Sequence, residues 1–289
     1  MVYDKQPKVS LVMCTLGRTD QILRLIESLE GQTRGAFELI IVDQNPPGTL
    51  DALVERARCK LAVTYLRSEP GLSRARNAGL RVCSGAIIAF PDDDCWYPAD
   101  LVDCVSRLFD EHPELGIVTG RTTDAKGNDS NGKYLRSSCE VTRRNVWYCG
   151  TSNSVFARLD LVQQLHGFNE SLGVGANSGF GSGEETDLIL RALAKGHRAA
   201  FFHELIAHHD QTNRIFDEPA FRRAADYARG FGRVMRLNHY SLAYALLRSA
   251  RSMLAALIAC GRPNMAQARL KWLWARQMLA GYLAPTSGA

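Results

Sequence analysis

The chain reads as an α/β protein: a mostly parallel, Rossmann-like central sheet flanked by helices, with a C-terminal helical extension. Three observations predict this. Short apolar runs of strand length alternate with helix-length segments over residues 9–119. Those runs are apolar on successive residues rather than on alternate ones, which is the pattern of strands covered on both faces. Beyond residue 217 the pattern is helical only. With 289 residues, 46% hydrophobic and 22% charged, the chain can bury a substantial core, and wholesale disorder is excluded.

Val9-Ser10-Leu11-Val12-Met13-Cys14 is the first strand. After the turn Leu16-Gly17-Arg18, Thr19 or Asp20 can cap a helix that carries Ile22, Leu25, Ile26 and Leu29 on one face, and Gly31 ends it. Phe37-Glu38-Leu39-Ile40-Ile41-Val42 is the second strand and stops at Asp43. A turn with Pro46, Pro47 and Gly48 leads to a helix over 50–58, a third strand over 61–66 and a helix over 73–83. Ala86-Ile87-Ile88-Ala89-Phe90 is the next strand, followed by a helix over 98–112 and a strand over 116–119. A polar loop covers 124–133. The region 140–215 mixes a strand near Ser154-Val155-Phe156, a glycine-rich run over 173–183 and a helix over 185–194.

The net charge of +5 comes from one end. Of 35 basic and 30 acidic side chains, six basic and no acidic ones lie in 241–289, which leaves 29 against 30 for the rest. No nucleic-acid partner is expected from that distribution. The start of the chain is polar and leads straight into a strand, so no signal peptide is expected. Eight scattered cysteines with no C-x-x-C pair argue against a disulfide framework or a zinc site, and a cytoplasmic location is the expectation.

The most informative feature is Asp92-Asp93-Asp94, directly after the strand over 86–90. Ligands of sheet proteins bind at the carboxyl ends of strands. Three adjacent carboxylates repel one another unless a cation joins them, and hard oxygen ligands suit Mg²⁺ or Mn²⁺. The cluster points to an enzyme acting on a phosphorylated substrate. The plainer reading is a polar turn that caps the helix near Pro98.

The order of parts resembles the family 2 glycosyltransferases, of glycosyltransferase-A fold, over residues 9–209. The resemblance rests on the opening strand with Thr15, the strand-end Asp43, Gly71-Leu72-Ser73-Arg74-Ala75-Arg76-Asn77-Ala78-Gly79, the aspartate cluster, Gly183-Glu184-Glu185-Thr186-Asp187-Leu188 and His208-His209. It implies an inverting, metal-dependent transferase with a nucleotide-binding half over about 1–120, an acceptor-binding half over about 121–215 and a basic extension over 216–289. The implied donor is a nucleotide-diphosphate sugar, a UDP-sugar first, and the implied cofactor is Mn²⁺ or Mg²⁺. The acceptor would be a sugar or a lipid-linked sugar in bacterial surface polysaccharide or glycolipid assembly.

On this resemblance Thr15 and Asp43 face the nucleotide, Asp43 accepting a bond from the base; the alternative for Asp43 is a turn residue bonded to its own backbone near Asn45. Arg76 stands near the nucleotide, in a first helical turn where the dipole disfavours cations unless an anion binds. Relatives carry Asp-x-Asp-Asp where this chain has Pro91 first, so Asp92 would face the ribose while Asp93, or Asp94 after a shift of one, takes the metal. Relatives usually have Glu-Asp at Glu184-Glu185. Glu184 would then bind substrate and Glu185 act as general base, with Asp187 the fallback. One of His208 and His209 completes the metal site. Trp147 would stack on the acceptor sugar. The glycines of 173–183 would let a loop close over the donor.

In the tail, Leu242, Ala245, Leu246, Met253, Ala256 and Leu257 repeat at helical spacing with Ser249 in the same row, and Gly261-Arg262-Pro263 breaks the helix. Arg248 and Arg251 make a poor membrane span. With Trp272 and Trp274 beside Arg269, Lys271 and Arg276, segment 241–280 suits peripheral contact with the inner face of the plasma membrane. Packing on the catalytic domain or a homodimer are the alternatives. The processive signature Gln-x-x-Arg-Trp is incomplete at Gln211-Thr212-Asn213-Arg214-Ile215, which favours transfer of a single sugar. Two rival functions stand beside this one: a nucleotidyltransferase, which lacks its basic glycine-rich loop after the first strand, and an inactive nucleotide-sugar-binding scaffold.

Overall fold

The computed structural model describes residues 8–33, 36–211, 216–260 and 265–285. The start of the chain, most of the Gln-x-x-Arg-Trp comparison (212–215) and the Gly261-Arg262-Pro263 break lie outside the described residues. The described elements run β1 (Val9–Thr15), α1 (Asp20–Glu30), β2 (Phe37–Asp43), α2 (Asp51–Arg58), β3 (Val63–Arg67), α3 (Leu72–Leu80), β4 (Ile87–Ala89), β5 (Cys95–Trp96), α4 (Leu101–Glu111), β6 (Leu115–Thr123), β7 (Cys139–Glu140), β8 (Val155–Arg158), α5 (Leu159–Gln164), α6 (Glu184–Ala194), β9 (Arg198–His209), α7 (Glu218–Leu237), α8 (Leu242–Cys260) and α9 (Met265–Leu283). Contacts divide the chain into two compact units, one of Met1–Pro70, Arg74–Phe168 and Leu188–Thr212, the other of Gly71–Ser73, Asn169–Asp187 and Asn213–Ala289.

The first unit is built on a sheet ordered β3-β2-β1-β4-β8-β6-β9-β5, with β7 added on β9. Strands β3, β2, β1 and β4 are parallel, as their continuous apolar runs predict, and β1 is buried at every position. From β8 outward the sheet is mixed: β8 is antiparallel to β4 and to β6, β6 and β9 are parallel, and β5 and β7 are antiparallel to β9. Helix α1 buries the expected stripe Ile22, Leu25, Ile26 and Leu29. Helix α4 buries Val102, Val105 and Phe109. Both stripes join Leu11, Met13, Leu39 and Ile41 of the sheet in one core. The expected helix near Pro98 starts at Leu101, because β5 first takes Cys95 and Trp96 into the sheet.

The second unit holds the start of α6 and helices α7, α8 and α9. Its helices pack through small residues. A Cβ on Gly232 of α7 would run into the Met278 carbonyl oxygen of α9. The glycine-rich run, expected to let a loop close over the donor, is hydrogen-bonded within this unit. Gly173 N donates to Phe180 O (2.9 Å), Leu72 N to Val174 O (2.9 Å) and Gly181 N to Asp226 O (3.0 Å), and the Ser182 hydroxyl bonds Tyr227 O (2.8 Å).

Candidate active site

The first unit gathers its polar side chains where β2, β1 and β4 end. Thr15 and Asp43 are register partners at the carboxyl ends of β1 and β2, and Asp92 bridges Cys14 in parallel. Strand order in a parallel sheet therefore puts Thr15, Asp43 and Asp92 side by side at one edge.

Asp43 is fully buried. Its Oδ1 accepts from the backbone N (2.8 Å) and Nδ2 (2.7 Å) of Asn45, and its Oδ2 from the Tyr65 hydroxyl (2.8 Å). This is the turn arrangement weighed above, and it fixes the carboxylate rigidly at the sheet edge. Burial, and then the bond to Asp43, raise the Tyr65 pKa.

Arg76 is 1% exposed. Its guanidinium lies over the rings of Phe90 (5.6 Å) and Phe168 (5.3 Å), and Nη2 stands 3.4 Å from Asp92 Oδ1. A buried cation held on two aromatic faces gains from a nearby anion, and Asp92 supplies one. The Ser152 hydroxyl donates to both Asp92 oxygens at 3.0 and 3.1 Å. Burial pushes the Asp92 pKa up to about 6, against the pull of Arg76 and with a further push from Asp94.

Asp93 and Asp94 share one counter-ion, Arg18, whose Nη1 pairs with Asp93 Oδ1 while Nη2 reaches Asp94 Oδ2 at 2.9 Å. Burial raises the Asp93 pKa, opposed by the neighbouring Thr15 hydroxyl and by Arg18. Burial also pushes Asp94 up, but the bond to His209 and the charge of Arg18 outweigh it, so the Asp94 pKa falls below the usual value. The His209 pKa rises through the same bond to Asp94, against the burial of its ring.

The structure separates the two histidines. His209 Nε2 stands 3.3 Å from Asp94 Oδ1. His208 is turned to other partners: Nδ1 meets the Thr123 hydroxyl at 3.1 Å, and its ring stacks on Trp96 at 5.3 Å. The physical reason is register. Antiparallel pairing sets Cys95 opposite His209 and Trp96 opposite His208, and successive strand residues face opposite sides. Of the two histidines, His209 is therefore the one that meets the aspartate cluster.

Trp147 lies half-buried in a 3₁₀ turn, Val146–Tyr148. The following turn, Ser152–Ser154, is closed by a capping box with Thr151 and aims Ser152 at Asp92. In the second unit, Glu184 and Asp187 at the start of α6 are buried, at 5% and 2% exposure, whereas Glu185 between them is only partly buried. Asp187 Oδ1 accepts from Asn238 Nδ2 at 2.8 Å, which ties α6 to α7. Of the three acids, Glu185 is the least buried.

Two functional candidates were not singled out from sequence. Arg18 read as a turn residue, and Ser152 drew no separate reading. The available signal for Arg18 was its place just past β1, at the same sheet edge as a triple aspartate. Cys14, beside the cluster, is no nucleophile, since burial pushes its thiol up to about 12. A cleft of about 420 Å³ between α4 and β9 contains none of the candidate residues.

Among the described residues no three His, Cys, Asp or Glu side chains converge to cage a metal. Mg²⁺ does not need such a cage, because it is commonly held by one or two carboxylates together with substrate phosphates. Asp93 and Asp94 supply carboxylate oxygens and His209 an imidazole, donors whose chemistry fits Mg²⁺ or Mn²⁺.

The sequence profile of the Glycosyl transferase family 2 matches residues 10–163, just over half of the chain, and the chain belongs to that family. It is 27% identical over 131 residues to an uncharacterized glycosyltransferase of Rickettsia felis, a match covering 45% of this chain and 21% of that protein. It is 25% identical over 220 residues to the glycosyltransferase AglE of Haloferax volcanii, covering 70% and 67%. Among solved structures, the chain resembles S. aureus TarS 1–349 in complex with UDP-GlcNAc (TM-score 0.60, 16% identity, 95% of this chain and 91% of that one). It also resembles the mannosyltransferase PcManGT of Pyrobaculum calidifontis in complex with GDP-Man and Mn²⁺ (0.63, 18%, 97% and 88%). The fold is that of the glycosyltransferase-A structures.

Proposed function

We propose that this protein is an inverting glycosyltransferase that moves one sugar from a nucleotide-diphosphate sugar to an acceptor hydroxyl. The observation that carries the reading is the sheet edge itself: three aspartates with Arg18, Arg76 and His209 around them, beside Asp43 and Thr15. Its charges are arranged for a polyanion that arrives with a cation. TarS with UDP-GlcNAc and PcManGT with GDP-Man support a nucleotide-sugar donor, and a UDP-sugar stays the first choice.

The family resemblance assigns the base contact to Asp43, whose carboxylate is buried and bonded to Asn45 and Tyr65 in the structure. Asp92 faces the ribose, with Ser152 and Arg76 holding it in place. Asp93, Asp94 and His209 would hold Mn²⁺ or Mg²⁺. When bound, the metal would neutralise the charge that grows on the departing diphosphate. Arg18, which pairs with Asp93 and Asp94 in the structure, would have to release them for a cation to be held there. Glu185 takes the proton from the acceptor hydroxyl as that oxygen attacks the anomeric carbon. Asp187 positions Glu185 by anchoring the first turn of α6 through Asn238. Trp147 contacts the acceptor sugar.

A panel of nucleotide sugars, assayed for donor hydrolysis with Mn²⁺, tests the reading. Glu185→Gln is expected to lower turnover by about 10²–10⁴-fold with donor binding retained. Full activity in that variant overturns the role of Glu185, and no turnover of any nucleotide sugar by the wild type overturns the function.

A further inference from the structure

Helix α8 is built inside out for a helix in water. Its buried positions are the small ones: Ala245 at 0%, Ser249 at 5%, Ala256 at 5% and Ala259 at 4% exposure. Its large apolar residues point outward, with Leu254 at 59%, Leu257 at 70% and Ile258 at 57%. The row that the sequence reads as one apolar face is thus split between two. The small side forms the seam with α9, where the Ser249 hydroxyl donates to Ala275 O at 3.0 Å. Small residues at the seam and large apolar ones outside is the pattern of helices that face lipid, whereas a soluble helix turns its leucines inward.

At 3.6 residues per turn, Leu246, Leu247, Leu254, Leu257 and Ile258 share one face, and Arg248 and Arg251 lie along its flank. The apolar surface continues onto α9 across a cleft of about 290 Å³ lined by Met253, Cys260, Met265 and the half-exposed Trp272. A continuous exposed apolar surface of this kind marks a docking face.

Charge selects the occupant. Residues 241–289 carry six Lys or Arg and no Asp or Glu. Among them, Arg251, Arg269 and Arg276 are exposed, with Arg269 paired to Glu218 of α7 at 2.7 Å. A second copy would bring like charges together across a two-fold interface. An anionic lipid surface offers phosphates to the cations and acyl chains to the leucines. The helix is long and apolar enough to cross a membrane, but spanning would carry Arg248 and Arg251 near the bilayer centre, which favours lying in the interface.

We propose that α8 and α9 dock this protein on an anionic membrane surface, with α8 lying in the plane of the interface. Leu254, Leu257, Ile258 and Trp272 enter the acyl region, and Arg251 and Arg276 meet the lipid phosphates.

Co-sedimentation of the full chain with phosphatidylcholine vesicles, with and without phosphatidylglycerol, tests this. The wild type is expected to pellet with the phosphatidylglycerol vesicles alone, less so as salt rises. Leu257→Ser/Ile258→Ser and Arg251→Glu/Arg276→Glu are each expected to weaken capture about tenfold or more; both change exposed residues, and an unchanged melting temperature checks that they fold. Wild type left in the supernatant overturns the proposal, and so does capture of both variants as strong as the wild type's. A dimer seen by light scattering that Leu257→Ser/Ile258→Ser dissociates, without vesicle capture, assigns the face to a second copy instead. No sugar donor enters this readout, so its failure leaves the transfer reading standing, and loss of transfer leaves capture intact.

Discussion

Asp92→Asn is expected to stabilise the metal-free protein at neutral pH while impairing its function. In the folded protein Asp92 titrates at about 6, against about 3.9 in an unfolded chain. The folded state therefore holds an extra proton between those two values. Stability is full below about 3.9, falls as pH rises through the window, and stays at the lower level above about 6. Two units correspond to roughly 3 kcal/mol. Because the side chain is 23% exposed, solvent screening reduces this to about 1–2 kcal/mol. An asparagine keeps a side-chain oxygen for Ser152 and Arg76 but never ionises. Thermal unfolding in EDTA should thus show Asp92→Asn melting several degrees above wild type at pH 7.5, at about 2–4 °C per kcal/mol. At pH 4.5 the advantage should shrink toward zero, because the wild type is then largely protonated. An equal gain at both pH values would refute the electrostatic reasoning, as would a loss at pH 7.5. The charge at Asp92 is, on this account, maintained against stability for the sake of a ligand.

Other outcomes follow from the same geometry. Arg18→Ala removes the cation that Asp93 and Asp94 share, so Mn²⁺ alone should bind more tightly than to wild type in calorimetry without nucleotide; unchanged affinity would show that Arg18 does not compete. The same variant should lose about 1–2 kcal/mol without metal, because Asp93 is left nearly buried with an unpaired charge. Gly120→Ala drives a Cβ into the Leu205 carbonyl oxygen across the β6–β9 irregularity. It should cost about 1–3 kcal/mol, read as a lower urea midpoint with an unchanged slope.

How much of this was legible in the sequence depended on how local the determinant is. Strands β1 to β4 could be read because each is a self-contained apolar run, and the stripe of α1 because Ile22, Leu25, Ile26 and Leu29 carry their own period. The acidic triplet at a strand's carboxyl end was equally visible. Strands β5 and β7 were not, since two residues carry no period, and each exists only through pairing with β9. The choice between His208 and His209 is set by that non-local register. Arg18 went unnoticed because its partners lie 75 and 76 residues away. The apolar row of α8 was legible as a row; that it splits between a seam and an exposed face depends on α9 and on backbone approach at Ala and Gly, which periodicity does not encode.

The central claim is that Asp93 and Asp94, through a divalent cation, bind a nucleoside diphosphate. Calorimetric titration of UDP, and of GDP beside it, in Mn²⁺ and in EDTA tests it most directly. One of the two should bind at least about tenfold more tightly with Mn²⁺, and Asp93→Ala/Asp94→Ala should erase the difference. Equal affinity of the wild-type protein in Mn²⁺ and in EDTA would contradict the account and shift the diphosphate contact to Arg18 and Arg76.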